Sequence, residues 1–517
     1  MDKAIETARR VSPLRIIARI GGVRAIAFLF LAAGLCVVPK FIGLTVQSLW
    51  LDELNVLRYM SYPHLDAAFF EAIRQEPHPP LWLAAMWIYG KLVGTTPFAL
   101  RLSSAVTACF AVAGAYGATQ QVAGRRVATI TALLLGLSSV GLCEAQNVRP
   151  YSLVFLFAAL SAAWFAGLMR QPDRRLTISL TAANTALCLT HYSGVFLVFG
   201  EALAIGLVRW RAGTPRPWSL SVLLTATALP ALVWMAWTFG VYDPMATANL
   251  HWRVLDLLSP LRGFFGQFPL LILVLTPFVL ERRPLHLGAD PKIVGLGVVI
   301  FCVAAAITAA ALVHPSWMQN KNFYVAFPAG YLLIALIVSK TPLMRGETGA
   351  WLTLLVTATG LATYLATGYP LHPTTYYAPY REQVREAAKL IGVLARPGDT
   401  VLTGVIDING NHTYLVPTRT YAETILRHPW RTRDIRLLAE PRQAQARVAA
   451  LTHAVLTRRP HGSLIVDLPQ STKLSPAERA TLESAVCITE HRLIKHTVLE
   501  ADFDAARCPK RIVVSDI

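Results

Sequence analysis

Apolar runs of about 17–24 residues recur along the first two thirds of the chain, the length that carries an α-helix across a bilayer's hydrocarbon core. They predict spans near residues 24–47, 100–123, 127–143, 150–168, 176–190, 192–208, 218–238, 263–280, 293–313, 323–339 and 350–367, about eleven in all. Two regions break the pattern. Between spans one and two, from about residue 48 to 100, the apolar stretches are too short to cross. Leu81–Val93 (LWLAAMWIYGKLV) reads as a helix lying in the membrane interface. Lys40, late in the first span, is expected to snorkel outward.

From about residue 369 to 517 the pattern changes to that of a soluble unit. REQVREAAKLIGVL has helical spacing, and ARPGDTVLTGV reads as a turn entering a buried strand. RQAQARVAALTHAVL is again helical, and HGSLIVDL is a second strand. Alternating helix and strand signals predict a small α/β domain. The expected organisation is a polytopic all-α membrane domain over residues 1–368 and an α/β domain over 369–517.

Composition agrees with lipid as the main solvent. Of 517 residues, 54% are hydrophobic and only 15% charged, with a mean hydropathy of +0.46. The net charge of +18 would suggest nucleic acid in a soluble protein. Here the positive charges fall in alternate loops instead. One set holds Arg125 and Arg126; Arg170, Arg174 and Arg175; Arg209, Arg211 and Arg216; Arg282, Arg283 and Lys292; and Lys340 and Arg345. The short opposite loops hold Arg149, Arg253, Arg262 and Lys321. The positive-inside rule then places the N-terminus in the cytoplasm and, with an odd number of spans, the C-terminal domain outside. A nucleic-acid partner is not expected. The basic, then apolar, N-terminal segment reads as a retained signal-anchor. Cys487 and Cys508 lie in the polar region, where an extracytoplasmic location permits a disulfide. Asn411–Thr413 match a glycosylation acceptor pattern and read as a loop.

The residues suited to chemistry cluster by topology. SLWLDELNVLRYM places Asp52 and Glu53 just after span one. Adjacent carboxylates near hydrocarbon are costly and often functional. QEPHPPLW puts His78 before two prolines that start a helix. CEAQNVRPYSL holds Glu144, Arg149 and Tyr151, LTHYSGVF holds His191, and HPSWMQNKNFYVAFPAG holds Lys321. Each signal alone is ordinary: a helix boundary, a turn, a satisfied histidine. All of them fall on the outside face under the charge-derived topology. Carboxylates, imidazoles and cations gathered there suit phosphate binding and hydroxyl activation. A transporter or lipid flippase, or a non-catalytic scaffold for the C-terminal domain, are the competing classes. No paired halves with broken helices support the transporter.

The ordered set SLWLDE, HPPLW, RLSSA, QNVRPYSL, LTHYSG and FYVAFPAGYLLIAL resembles the GT-C membrane glycosyltransferases of the protein-mannosyltransferase and aminoarabinose-transferase type. The resemblance covers most of residues 45–340 and implies a GT-C helical bundle in a bacterial inner membrane. It further implies transfer of a monosaccharide from a polyprenyl-phosphate donor to an envelope glycan, lipid or protein acceptor on the periplasmic side. Asp52 corresponds to the catalytic carboxylate, with Glu53 beside it. His78, Arg149, Tyr151, His191, Lys321 and Glu144 are the expected substrate- and phosphate-binding residues. GT-C families differ in their use of a divalent metal, which is left open as the one candidate cofactor; no metal-ligand spacing is present. The aminoarabinose branch has a Lys where this chain has His78. Relatives often have an acid at Asn147 and Arg-Tyr at Lys321-Asn322. These departures leave the reaction class and do not carry that branch's sugar across.

Overall fold

The computed structural model describes residues 13–46, 48–74, 76, 78–170, 172–214, 218–238, 261, 264, 290–313, 315–341, 347–367, 384–404, 406–407, 414–415, 417–426, 430, 432, 434–438, 444–458, 463–469, 474–482, 485, 487–493, 496–503 and 515–516. Its membrane part is helical. The first helix, α1 (Pro13–Phe41), leads into three short ones, α2 (Leu51–Met60), α3 (Ala67–Ile73) and α4 (Pro80–Val93). Then follow α5 (Pro97–Ala123), α6 (Arg125–Gly136), α7 (Ser139–Ala145), α8 (Tyr151–Leu168), α9 (Arg174–Thr190) and α10 (Ser193–Arg211). The set closes with α11 (Ser219–Ala226), α12 (Leu229–Thr238), α13 (Pro291–Val313), α14 (Phe327–Val338) and α15 (Glu347–Thr367).

Among the described residues, seven helical segments are long and apolar enough to cross a membrane, or eight if the bent pair α6–α7 is one span. Helices occupy every expected span except 263–280, which lies almost wholly outside the described residues. Helix α15 contributes a shorter apolar stretch over Gly349–Ala362, and α9, with 17 residues, occupies the place of the expected span 176–190. The chain is an integral membrane protein.

Helix boundaries follow local chemistry. Asp66 caps α3 by accepting from the amides of Ala68 and Phe69, and Thr96 caps α5 with Pro97 in its first turn. Between α6 and α7 the axis turns by 60°. Ser138 caps the second half by accepting from Gly141 N–H at 3.0 Å. Lys40 sits in this bend and does not snorkel. It is 2% exposed, and its Nζ donates to the carbonyls of Cys36 at 2.6 Å and Gly136 at 2.8 Å. The ammonium thus satisfies a carbonyl freed at the end of α6, which outcompetes a route to solvent. Gly136 is required there: a Cβ would lie 2.6 Å from Cys36 Sγ.

Deeper in the bundle three polar side chains meet across α8, α9 and α10. Ser161 Oγ lies 2.7 Å from Asn184 Oδ1 and 2.6 Å from Glu201 Oε1. Asn184 Nδ2 donates to Glu201 Oε2 at 2.8 Å. All three are buried.

The C-terminal unit starts with α16 (Val384–Leu394), whose Val384, Ala387, Ala388 and Ile391 form a buried stripe at helical spacing. Strands β1 (Thr400–Gly404), β2 (Ile406–Asp407) and β3 (Tyr414–Leu415) come next, then a short α17 (Pro417–Thr420) and β4 (Asp434–Leu438). Helix α18 (Ala444–Arg458), β5 (Ser463–Pro469), α19 (Pro476–Leu482), β6 (Cys487–Leu493), β7 (His496–Asp502) and β8 (Ser515–Asp516) complete it. The main sheet runs β4-β1-β5-β7-β6-β8, while β2 and β3 pair separately. β1 is parallel to β4 and β5, with Thr400 opposite Asp434 and Leu464. β5, β7 and β6 are antiparallel neighbours. The helix and strand signals read from the sequence land on α16, β1, α18 and β5. Cys487 is disulfide-bonded; Cys508 and Asn411–Thr413 lie outside the described residues.

One apolar cluster spans both parts of the chain. Leu49, Leu54 and Leu57 of the segment after α1 pack in the same cluster as Val384 and Ile391 of α16 and Ile465 of β5. The α/β unit is therefore seated on the short helices that follow the first span.

Candidate active site

Helix α2 begins with the two carboxylates. Glu53 reaches back to accept from Trp50 N–H at 3.3 Å, the return arm of a capping box. Acidic residues in a first turn are also favoured by the helix dipole. The two neighbours have different fates. Glu53 is 0% exposed and fully engaged: it takes Arg101 Nε at 3.1 Å, Arg101 Nη2 at 2.7 Å and Val148 N–H at 3.0 Å. Asp52 keeps 33% of its side chain exposed and faces Arg149, Oδ2 to Nη2, at 3.6 Å.

Arg149 is the centre of the constellation. It is buried, at 6% exposure, just before Pro150 starts α8. Its Nη2 also lies 2.8 Å from His78 Nε2, and its guanidinium lies 5.9 Å from the ring centre of Trp82. A guanidinium only donates, so Nε2 of His78 accepts and the neutral ring carries its proton on Nδ1. His191 stands in the turn between α9 and α10, 5.3 Å from His78 ring to ring and 5.9 Å from Tyr151. Ser193 N–H donates to His191 Nδ1 at 3.3 Å, which leaves the ring proton on Nε2.

Both imidazoles are held neutral. Burial pushes His78 well below its ordinary range, and Arg149, His191 and Lys321 push the same way. Burial, then Lys321 and Arg149, lowers His191 to about 3. His78 is present as an acceptor to Arg149.

Glu144 lies at the end of α7. Its Oε2 accepts from Asn147 Nδ2 at 2.9 Å and its Oε1 from the Tyr324 hydroxyl at 3.4 Å. Asn147 Oδ1 in turn accepts from Trp50 Nε1 at 3.2 Å. Tyr324 packs edge-on to Tyr151, with centres 5.4 Å apart. Lys321 is on the same 3₁₀ turn as Tyr324 (Asn320–Ala326), close enough for Arg149, Asp52 and Glu144 to act on its charge. His314 lies outside the described residues.

Asp52, His78, Glu144, Arg149, Tyr151, His191 and Lys321 thus converge in one constellation, with Glu53 next to Asp52 in the chain and bound to Val148 N–H beside Arg149. Reading the residues one motif at a time missed two partners. Glu76 is buried and accepts from Asn55 Nδ2. Burial raises its carboxyl above the usual range, against the pull of Arg149. Its signal was an acid two residues before His78. Arg101, in RLSSA, was legible only as part of a motif; its role follows from a charge buried at 2% exposure, which requires a counter-charge. Among the described residues no group of three or more His, Cys, Asp or Glu is arranged to hold a metal ion.

No family model matches the sequence, and no curated protein does either. Solved structures do resemble the fold. The apo structure of ArnT from Cupriavidus metallidurans superposes with a TM-score of 0.56 at 14% identity, covering 92% of this chain and 98% of that one. The same protein bound to undecaprenyl phosphate gives a TM-score of 0.54 at 14% identity, with coverage of 94% and 100%. This chain is an integral membrane protein whose fold is similar to that of the ArnT structures, a small sheet domain included.

Proposed function

We propose that this protein is a glycosyltransferase that moves a monosaccharide from a polyprenyl-phosphate donor to an acceptor hydroxyl at the non-cytoplasmic face of a bacterial inner membrane. The observation that carries the reading is the one-third-exposed Asp52 held opposite the buried, multiply supported Arg149. The lipid phosphate of one structural neighbour's ligand, undecaprenyl phosphate, supports the donor class.

The chemistry divides between the two sides of the site. An acceptor oxygen attacks the anomeric carbon while Asp52 takes its proton. The bond from that carbon to the phosphate oxygen breaks, and its electron pair leaves with the phosphate. Arg149 and Lys321 balance the departing charge, Arg149 as a planar fork and Lys321 as a point charge. His78 fixes the guanidinium of Arg149 by accepting from it. Tyr151 and His191 pack beside the His78 ring, and Glu144 holds Asn147 and Tyr324 in place. Glu53 serves Asp52 as its neighbour in the chain and is a positioning residue.

The N-terminus is assigned to the cytoplasm and residues 369–517 to a periplasmic domain. The acceptor is an envelope glycan, a lipid or a protein. Transfer is tested in vesicles carrying wild type or Asp52→Asn, supplied with total polyprenyl-linked sugars and envelope extract. A product made only by wild type, identified by mass, supports the reading. Equal product from a well-inserted Asp52→Asn defeats it. Vesicles that move the lipid-linked sugar without forming a glycosidic bond would make the chain a flippase.

A further inference from the structure

The turn that delivers the chain from α1 to Asp52 has almost no regular structure of its own, so its carbonyls must find partners elsewhere. They find them on three side chains. Gln146 Nε2 donates to Lys40 O at 3.2 Å and Ile42 O at 2.6 Å. Arg101 donates to Leu44 O and Ser48 O, each at 2.9 Å, while also pairing with Glu53. The third side chain comes from the C-terminal unit. Arg385, in the first turn of α16, donates from Nη1 to Thr45 O and from Nη2 to Val46 O, each at 2.9 Å. Its own backbone N–H donates to Ser48 Oγ at 3.0 Å. Glu386 holds the guanidinium from behind, accepting from Arg385 Nε at 2.7 Å.

Two arginines therefore hold one short turn by different carbonyls. Arg101 belongs to a membrane helix and Arg385 to the α/β unit, and the segment between them ends four residues before Asp52. The apolar cluster that joins Leu49 and Leu54 to Val384 and Ile391 keeps α16 against the same segment. A fork holding two successive carbonyls fixes both the position and the rotation of the backbone. Small misplacements of a reacting group are costly in rate.

We propose that Arg385 is a positioning residue for the transfer centre, through which the C-terminal α/β unit sets the location of Asp52. This rests on the glycosyltransferase reading above. It gives the C-terminal unit a part in the reaction without any contact to donor or acceptor.

The test uses the full chain in lipid nanodiscs, with transfer kinetics and amide hydrogen exchange measured on wild type, Asp52→Asn, Arg385→Ala, Arg385→Lys, Ser48→Ala and Lys389→Ala. Arg385→Ala is expected to lower kcat roughly 10- to 100-fold, leave KM for the donor unchanged, and speed exchange of amides 44–53 with β1 and β5 still protected. Arg385→Lys keeps the cation without the fork and should behave nearly as the alanine variant does. Ser48→Ala should give a smaller fall of the same kind. Lys389→Ala, exposed on the same helix, should match wild type. Wild-type kcat in Arg385→Ala and Arg385→Lys overturns the proposal, as does a fall in kcat with exchange of 44–53 unchanged. If Arg385→Ala loses protection throughout β1 and β5, the lysine variant decides by the same criteria. Failure of the functional reading is distinct: Asp52→Asn then transfers sugar as well as wild type does.

Discussion

The Asp52 carboxylate and the Arg149 guanidinium stand 3.6 Å apart, close enough to attract and too far for a direct hydrogen bond. That spacing leaves the carboxylate free to accept a proton. Asp52→Asn should remove the proton acceptor and lower transfer by about 10²- to 10⁴-fold. Asp52 is one-third exposed but faces the buried Arg149, so the variant should lose about 1–3 kcal/mol of stability while still inserting. Paired kinetics and melting curves check both halves of the expectation.

Arg149→Lys should be a poor replacement. Arg149 serves Asp52 and the His78 ring with one planar group, and an ammonium cannot reproduce that geometry. Donor KM should rise and kcat should fall. A lysine variant with unchanged donor kinetics would remove Arg149 from the phosphate-binding role.

Glu53 and Arg101 form a buried pair, and removing one partner leaves the other charged and unmatched. Glu53→Ala should destabilise the protein by about 3–5 kcal/mol. It should also free Val148 N–H, next to Arg149. Arg101→Ala should cost a similar amount. The double variant should cost less than the sum of the two, which a double-mutant cycle by thermal unfolding would measure.

Stability should fall in mild acid. The folded-state pKa values of His78 and His191 lie below the unfolded value of about 6.5. As pH drops through about 6.5, the unfolded chain takes up protons that the folded chain refuses. Stability is therefore fully present above that pH and is lost below it, for His191 down to about 3. The slope should be on the order of 1 kcal/mol per histidine per pH unit. His191→Gln should flatten it between about pH 4 and 6, in melting experiments across that range.

Gly136→Ala should be destabilising by about 1–3 kcal/mol, since its Cβ would press on Cys36. Cys36→Ala should return part of the loss by removing the sulfur. Equal stability of Gly136→Ala and wild type would show that α1 moves aside freely.

The spans were legible because lipid permits few alternatives: an apolar run of the right length, with its backbone polar groups satisfied internally, is a helix. The bend between α6 and α7 was not, since it depends on Lys40 reaching a carbonyl 96 residues away. Asp52, His78, Arg149, His191 and Lys321 could be gathered from sequence because charges at span ends are costly and topology puts them on one face. The division of labour between Asp52 and Glu53 could not. Side by side in the chain they look alike; only the position of Arg101 on a neighbouring helix buries one and leaves the other open. Glu76 was hidden for the same reason. The β6–β7 hairpin had weak patterning: nearly every residue of β6 is only half-buried.

The ring formed by Ser161, Asn184 and Glu201 carries a consequence in hydrogen arithmetic. Three contacts need three hydrogens, one apiece. The serine hydroxyl supplies one and the asparagine amide supplies one to the ring, whichever way the amide is turned. A proton on the carboxyl supplies the third, and the ring then closes with Glu201 as a neutral acid and no charge on α10 at that depth. Glutamine, with its extra hydrogens in the same place, closes the same ring. Substitution of Glu201 by Gln should be nearly silent where Glu201→Ala is not, and the chain holds together there by counting protons rather than by pairing charges.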